Sequence, residues 1–178
     1  MNATIEQLHD HQWRELRDLR LAALADSPLA FWSTWAQEAD FDEQRWTAFL
    51  HAATWFVARH EGRTIGGVGA LLRPELADEP EMIGMWVAPT FRRNGVATSL
   101  LAACCYWAFE QHHRAVTLWV VDSNEPARRL YEKFGFGDTG ERARHPNDPD
   151  SVEIRMRRPT AGARYARSAN SRSTASQA

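Results

Sequence analysis

Lysine is almost missing from this chain of 178 residues: Lys133 stands alone beside 20 arginines. The imbalance reads as genome composition more than as a functional signal. Cysteine is scarce as well. Cys104 and Cys105 are the only two and are adjacent, which excludes a disulfide framework and fits a reducing, cytoplasmic setting. No window approaches about 18 uncharged apolar residues, which excludes a helical membrane span. The opening MNATIEQLHDHQWRE has no apolar stretch of the kind a secretory signal carries. Positive charge is not in excess: the formal net charge is −2, so the basic footprint of a nucleic-acid binder is absent.

Several chemistries lack an anchor. There is no GxxxxGK[ST] phosphate loop, no HExxH, no CxxC and no GxSxG elbow. His9-x-His11 and His112-His113 have no third ligand at a sensible spacing, so they read as solvated histidines and no metal is expected. What is present is an ordinary globular balance, 44% hydrophobic and 25% charged. A chain this long can bury roughly 70% of its unfolded surface without metal or disulfide. Of its eight tryptophans, Trp13, Trp32, Trp35 and Trp46 precede the first clear strand.

Periodicity divides the chain into a regular series. Residues 5–25 carry Leu8, Trp13, Leu16, Leu19 and Leu24 at helical spacing and stop before Asp26-Ser27-Pro28. Residues 29–40 are apolar and aromatic without a clear period. Asp42 can cap a helix to about 52, with Trp46, Phe49 and Leu50 inward. Residues 54–60 and 64–72 flank Glu61-Gly62-Arg63 and read as a hairpin. Gly66, Gly67 and Gly69 in its second arm let another backbone come close.

Residues 81–88 form the next strand, ended by Pro89. A helix follows over 96–112, a buried strand over 115–121, and a helix over 125–134 with Pro126 in its first turn. Short strands are expected at about 136–140 and 151–157. The crossover between 81–88 and 115–121 requires those two strands to be parallel. The fold class is therefore mixed α/β, a largely antiparallel sheet with flanking helices, over residues 1–158. Residues 159–178 lack acidic groups and aliphatic period, and read as a disordered tail. Its three arginines leave the body near −5.

Chemistry concentrates in MWVAPTFRRNGVATSLL, residues 85–101. A strand ends, and Arg92-Arg93-Asn94-Gly95-Val96-Ala97 opens an amphipathic helix. Helix N-termini present unpaired N–H groups and partial positive charge, so such a loop can cradle a diphosphate. Taken alone, Gly95 could equally just relieve a strand-to-helix turn.

The wider pattern resembles the GNAT superfamily of acyl-CoA-dependent N-acetyltransferases. Arg92, Gly95 and Ala97 fill its Gln/Arg-x-x-Gly-x-Gly/Ala fingerprint. A second block, Asn124 through Leu130-Tyr131 to Gly135-Phe136, matches a helix ending Leu-Tyr-x-x-x-Gly-Phe. The likeness covers residues 54–157 well and 1–53 only as a helical pair. It implies a partly splayed sheet, with the pantetheine arm of acetyl-CoA paired to the freed edge at Met85, Trp86 and Val87. The diphosphate would lie on the amides of Arg92, Arg93, Asn94, Gly95, Val96, Ala97 and Thr98. Asn124 would hold the pantetheine, and Arg128 joins the cofactor-binding set.

The reaction implied is direct acyl transfer to a primary amine, on a small molecule or a peptide. Tyr131 matches the family's general acid, and a backbone N–H near Val87 is the expected oxyanion donor. Read alone, Tyr131 could be a core residue at a helix end. Glu81 falls where one branch of the family keeps a catalytic glutamate; it also reads as a solvated strand start. An amine of pKa about 10.4 needs about 4–5 kcal/mol for deprotonation at pH 7, an α-amine only about 1–1.5 kcal/mol. How much a base matters therefore depends on the acceptor.

The acceptor site should draw on 27–35, the loop before Pro80 and the 141–150 loop. Phe31, Trp32 and Trp35 either floor that pocket or pack helices on the sheet. Glu38, Asp40, Asp42 and Glu43 either attract a cationic amine or are a solvated helix start. Homodimers are common in the family and are admitted here. The rival function is a non-catalytic acyl-CoA sensor of the same fold.

Overall fold

The computed structural model describes residues 2–76 and 78–160. Its elements are β1 (Thr4–Gln7), α1 (Trp13–Asp26), α2 (Trp35–Ala39), α3 (Glu43–His51), β2 (Ala53–His60), β3 (Arg63–Leu71), β4 (Glu81–Val87), α4 (Val96–Glu110), β5 (Ala115–Val121), α5 (Glu125–Lys133), β6 (Gly137–His145) and β7 (Asp148–Pro159). Single 3₁₀ turns lie at Pro28–Ala30, Pro74–Leu76 and Pro89–Phe91. One seven-stranded sheet runs in the order β1-β2-β3-β4-β5-β7-β6. Every pairing is antiparallel except β4 with β5, the pair whose crossover helix demanded it.

The sheet separates two cores. On one face α4 buries Val96, Leu100, Leu101, Cys104, Cys105 and Ala108 against the strands, joined by Tyr131 and Phe136. Both cysteines are sealed, and burial pushes their thiols upward, Cys105 to about 11. On the other face α1 and α3 pack Leu16, Leu19, Trp46 and Leu50 onto Trp55 and Val57. Asp42 caps α3 by accepting from Arg45 N–H at 2.8 Å.

Three boundaries differ from the sequence reading. Residues 4–7 are a strand, Ile5 lying opposite Ala58 on β2, and the helix begins only at Trp13; four residues hold too few side chains to reveal a period of two. The 141–150 segment is no loop. β6 and β7 continue through it and turn at Pro146-Asn147. β6 is an outer strand, exposed along most of its length, so it has no apolar alternation to read. Finally, β7 includes Pro159, and Thr160 N–H donates to Arg114 O at 3.0 Å, so ordered structure continues two residues past 158. The rest of the expected tail, 161–178, lies outside the described residues.

Candidate active site

β4 and β5 begin as neighbours and then part. They pair only at Glu81 with Thr117 and Met82 with Leu118, although β4 runs on to Val87 and β5 to Val121. The cause is local. On β3 two steps separate Gly67 from Gly69, whereas their partners Trp86 and Ile83 are three steps apart. β4 thus holds one extra residue, a β-bulge. Gly84 sits in it at φ 65°, a left-handed backbone that glycine adopts without steric cost.

The bulge breaks strand alternation, which would place Glu81, Ile83, Met85 and Val87 on one face. Instead Met82, Met85 and Val87 pack in the α4 core, and Ile83 and Trp86 in the α1–α3 core. Ala88 N–H donates to Ile65 O at 2.8 Å. Alternation then aims the Val87 amide and carbonyl away from β3, toward the side β5 has left. That carbonyl is engaged: Arg92 Nε donates to it at 2.9 Å. The Val87 N–H, on the same edge, has no such partner among the described residues.

At the gap lies a cavity of about 300 Å³. Met85 reaches its wall from β4, Asn124 and Tyr131 from α5, and Phe31 and Trp32 from the segment after α1. Trp86 and Val87 are outside this lining, as is Trp35, which is 51% exposed at the start of α2. Tyr131 is 7% exposed, touches Phe136 edge-on, and has its phenol pushed up to about 12 by burial. Its hydroxyl makes no hydrogen bond among the described residues, so it is a protonated donor facing the cleft. Asn124 is divided in its use. Its Oδ1 accepts from Ala127 N–H at 3.3 Å and caps α5, which leaves its amide NH₂ for a ligand.

The loop before α4 is open in a specific way. Arg93 and Gly95 both have left-handed backbones, φ 62° and 82°, and no side chain caps the helix. The first-turn amides of a helix have no intrahelical acceptor, so those of Val96, Ala97 and Thr98 point outward. A Cβ on Gly95 would meet nothing within 4 Å; glycine is required there by backbone angle, not by space. Two expected cofactor contacts are otherwise occupied. Arg92 N–H donates to Pro89 O at 3.2 Å, and its guanidinium binds Asp26. Asp26 also accepts from Trp86 Nε1 at 2.9 Å. Trp86, Ser27 and Arg92 together hold its carboxyl below the ordinary range. Arg128 turns away from the cleft, donating to Asp122 O at 3.1 Å and Asp122 Oδ1 at 2.6 Å. Asn94 donates to Arg92 O at 3.1 Å and shapes the turn.

Charged groups line the cleft in pairs, with one exception. Arg20 of α1 meets Glu38 with Nε and Nη2 at 2.9–3.1 Å, so Glu38 is neither solvated nor free for an amine. Glu81 is buried, and both its oxygens accept from Arg73, at 2.9 and 3.1 Å. Two of its roughly four lone-pair positions are thus taken by a cation that already neutralises its charge. Glu153 of β7 is the exception. It is 3% exposed and accepts one hydrogen bond, from Trp32 Nε1 at 2.8 Å. Burial raises its pKa, the Trp32 bond and His145 pull it back, and the Glu81 charge adds to the rise. Sequence reading missed Glu153 because its partner Trp32 lies 121 residues away. The β6–β7 turn reaches the same segment, Asn147 Nδ2 donating to Trp32 O at 2.9 Å. No helix among the described residues is long and apolar enough to cross a membrane, and none of their acidic, histidine and cysteine groups cluster as a metal site.

Comparison with known proteins agrees with this geometry. Residues 6–136 match the acetyltransferase (GNAT) family. The mycothiol acetyltransferase of Thermomonospora curvata is 31% identical over 114 residues, 64% of this chain and 37% of that protein. Among solved structures, yncA of Salmonella typhimurium, determined with its cofactor acetyl-CoA, superposes with a TM-score of 0.74 at 15% identity, covering 90% of this chain and 95% of that one. The ribosomal-protein-S18-alanine N-acetyltransferase of Escherichia coli gives 0.64 at 19% identity, covering 89% and 94%. At such identities the structural likeness is one of fold.

Proposed function

Because the chain belongs to the acetyltransferase (GNAT) family, we propose that it moves an acetyl group from acetyl-CoA to a primary amine by direct attack within a ternary complex. The observation that carries this reading is the parting of β4 from β5 after Met82 and Leu118, which opens a cleft beside Tyr131. The residues fit the co-substrate. The uncapped first turn of α4 offers amides for a diphosphate, and the unpaired edge of β4 offers main-chain groups to a peptide-like arm. Acetyl-CoA supplies an activated acyl carbon and a thiolate leaving group.

The chain's own residues do the rest. The Val87 N–H stabilises negative charge on the carbonyl oxygen. Tyr131, which lines the cleft, gives its proton to the departing sulfur as it takes one from the acceptor nitrogen, because its raised pKa opposes donation alone. Glu81, held by Arg73, is part of the cleft wall. The acceptor is a small-molecule or peptide amine entering past Phe31 and Trp32.

Two measurements test this together. Coenzyme A should raise the melting temperature, and a panel of amines should release CoA thiol from acetyl-CoA. No thermal shift at millimolar CoA overturns the proposal. A shift without thiol release would instead favour a sensor that binds and does not turn over.

A further inference from the structure

The cleft holds two cations and two anions that matter to an entering amine: Arg20, Arg73, Glu81 and Glu153. Arg20 is neutralised by Glu38 and Arg73 by Glu81. Glu153 has no cationic partner within salt-bridge distance among the described residues. A carboxylate offers about four lone-pair positions, and only one is filled here, by the Trp32 indole. A buried anion with unused acceptor capacity is costly unless a cation completes it. The Trp32 ring, 45% exposed at the mouth, has the Arg73 guanidinium 5.9 Å from its centroid, so it already sits against a cation.

We propose that Glu153 receives the acceptor's ammonium and removes its proton, and that the acceptor is a singly charged amine with no carboxylate or phosphate beside its nitrogen. The inference rests on the acetyl-transfer reading and deepens it. Glu153 Oε takes the first nitrogen proton and frees the lone pair. The C–N bond forms as the C–S bond breaks, its electron pair leaving on sulfur. Sulfur is protonated by Tyr131, and the second nitrogen proton restores Tyr131. Glu153 returns its own proton to solvent. A second anion on the acceptor would face Glu153 with both arginines already engaged, so a free amino acid should be excluded.

Two experiments bear on this. In the wild-type enzyme, tyramine and phenylalaninamide should be acetylated with kcat/KM at least about tenfold above tyrosine and phenylalanine. Equal or reversed preference overturns the inference and needs no variant. Glu153→Gln keeps an acceptor for Trp32 Nε1 and should retain the CoA-induced thermal shift. Its kcat/KM for tyramine should fall about 100-fold at pH 7, and the deficit should close as pH nears the amine's own pKa. The charged and titratable groups facing Glu153 are Glu81 on β4, Arg73 before it, Arg20 on α1, Tyr131 on α5 and His145 on β6. The substitution replaces none of these but removes a charge that His145 and Glu81 feel, so His145→Gln and Glu81→Gln serve as controls: a low-pH limb that survives in both and is lost in Glu153→Gln assigns it to Glu153. A uniform fall at every pH, or no fall, overturns the role. Thermal shift with CoA but no thiol release from any of the four amines defeats this inference and spares acetyl-CoA binding; no shift defeats the proposed function first.

Discussion

Both parallel strands of the sheet feed a helix, and the two helix starts are built in opposite ways. After β5, the N-terminus of α5 is filled: Asn124 caps it, Pro126 occupies a position whose N–H would be idle, and Arg128 ties back to Asp122. After β4, the N-terminus of α4 is left bare, with two left-handed residues before it and no side-chain acceptor. A side-chain cap is worth about 1 kcal/mol, which α5 has and α4 forgoes. The capped start belongs to the helix that carries Tyr131; the uncapped one leaves first-turn amides for an acceptor from outside the helix, which in the proposed function is the diphosphate.

That contrast can be broken from either side. The largest effect is expected on the filled helix: Tyr131→Phe should lower kcat about 100-fold while the CoA-induced thermal shift persists. An unchanged kcat in a steady-state thiol-release assay would return Tyr131 to packing alone. On the open helix, Thr98→Glu should act with two signs. It places a negative charge in the first turn, which stabilises the helix by about 0.3–1 kcal/mol, and it repels a diphosphate. CoA affinity by calorimetry should drop at least about tenfold while the melting temperature of the free protein holds or rises. Unaltered affinity would mean that the α4 amides are not the anion site.

A smaller change is expected from Asn124→Ala, which strips the cap from α5 at a cost of about 1 kcal/mol, or about 2–4 °C in melting temperature. If stability is unmoved, the filled start is not held by its cap. The smallest effect concerns Asp26, which links Trp86 and Arg92 beside the open start. Its carboxyl is held below its ordinary 3.8, so its stabilisation is complete above that pH and is lost as pH falls through the lower folded value. Asp26→Asn should therefore flatten the decline of melting temperature below about pH 4. An undiminished decline would place the acid sensitivity elsewhere.

How much of this was legible in the sequence follows from the range of each interaction. The α4 segment was readable because its apolar residues repeat at helical spacing, and β5 because it is a short, nearly unbroken apolar run, as a strand buried on both faces is. Edge strands β1 and β6 were not: one is four residues long and the other is wet along its length. The fingerprint from Arg92 to Ala97 marked the loop that opens α4 without a side-chain cap, yet its first residue serves the fold, because Asp26, 66 positions earlier, claims the guanidinium. Glu81 looked available in one dimension and is tied to Arg73 in three. Glu153 looked like any polar residue in a strand, and only the meeting of β7 with the segment after α1 gives it a setting.

The additional residue in β4 acts as a phase shifter. Counted along the ladder with β3, it advances everything downstream by one step, so Met85 and Trp86 exchange the layers that strict alternation would assign them. The same step turns the strand away from β5. Slot and side-chain partition are thus a single geometrical event, and deleting one residue at Gly84 should shut the first and scramble the second at once.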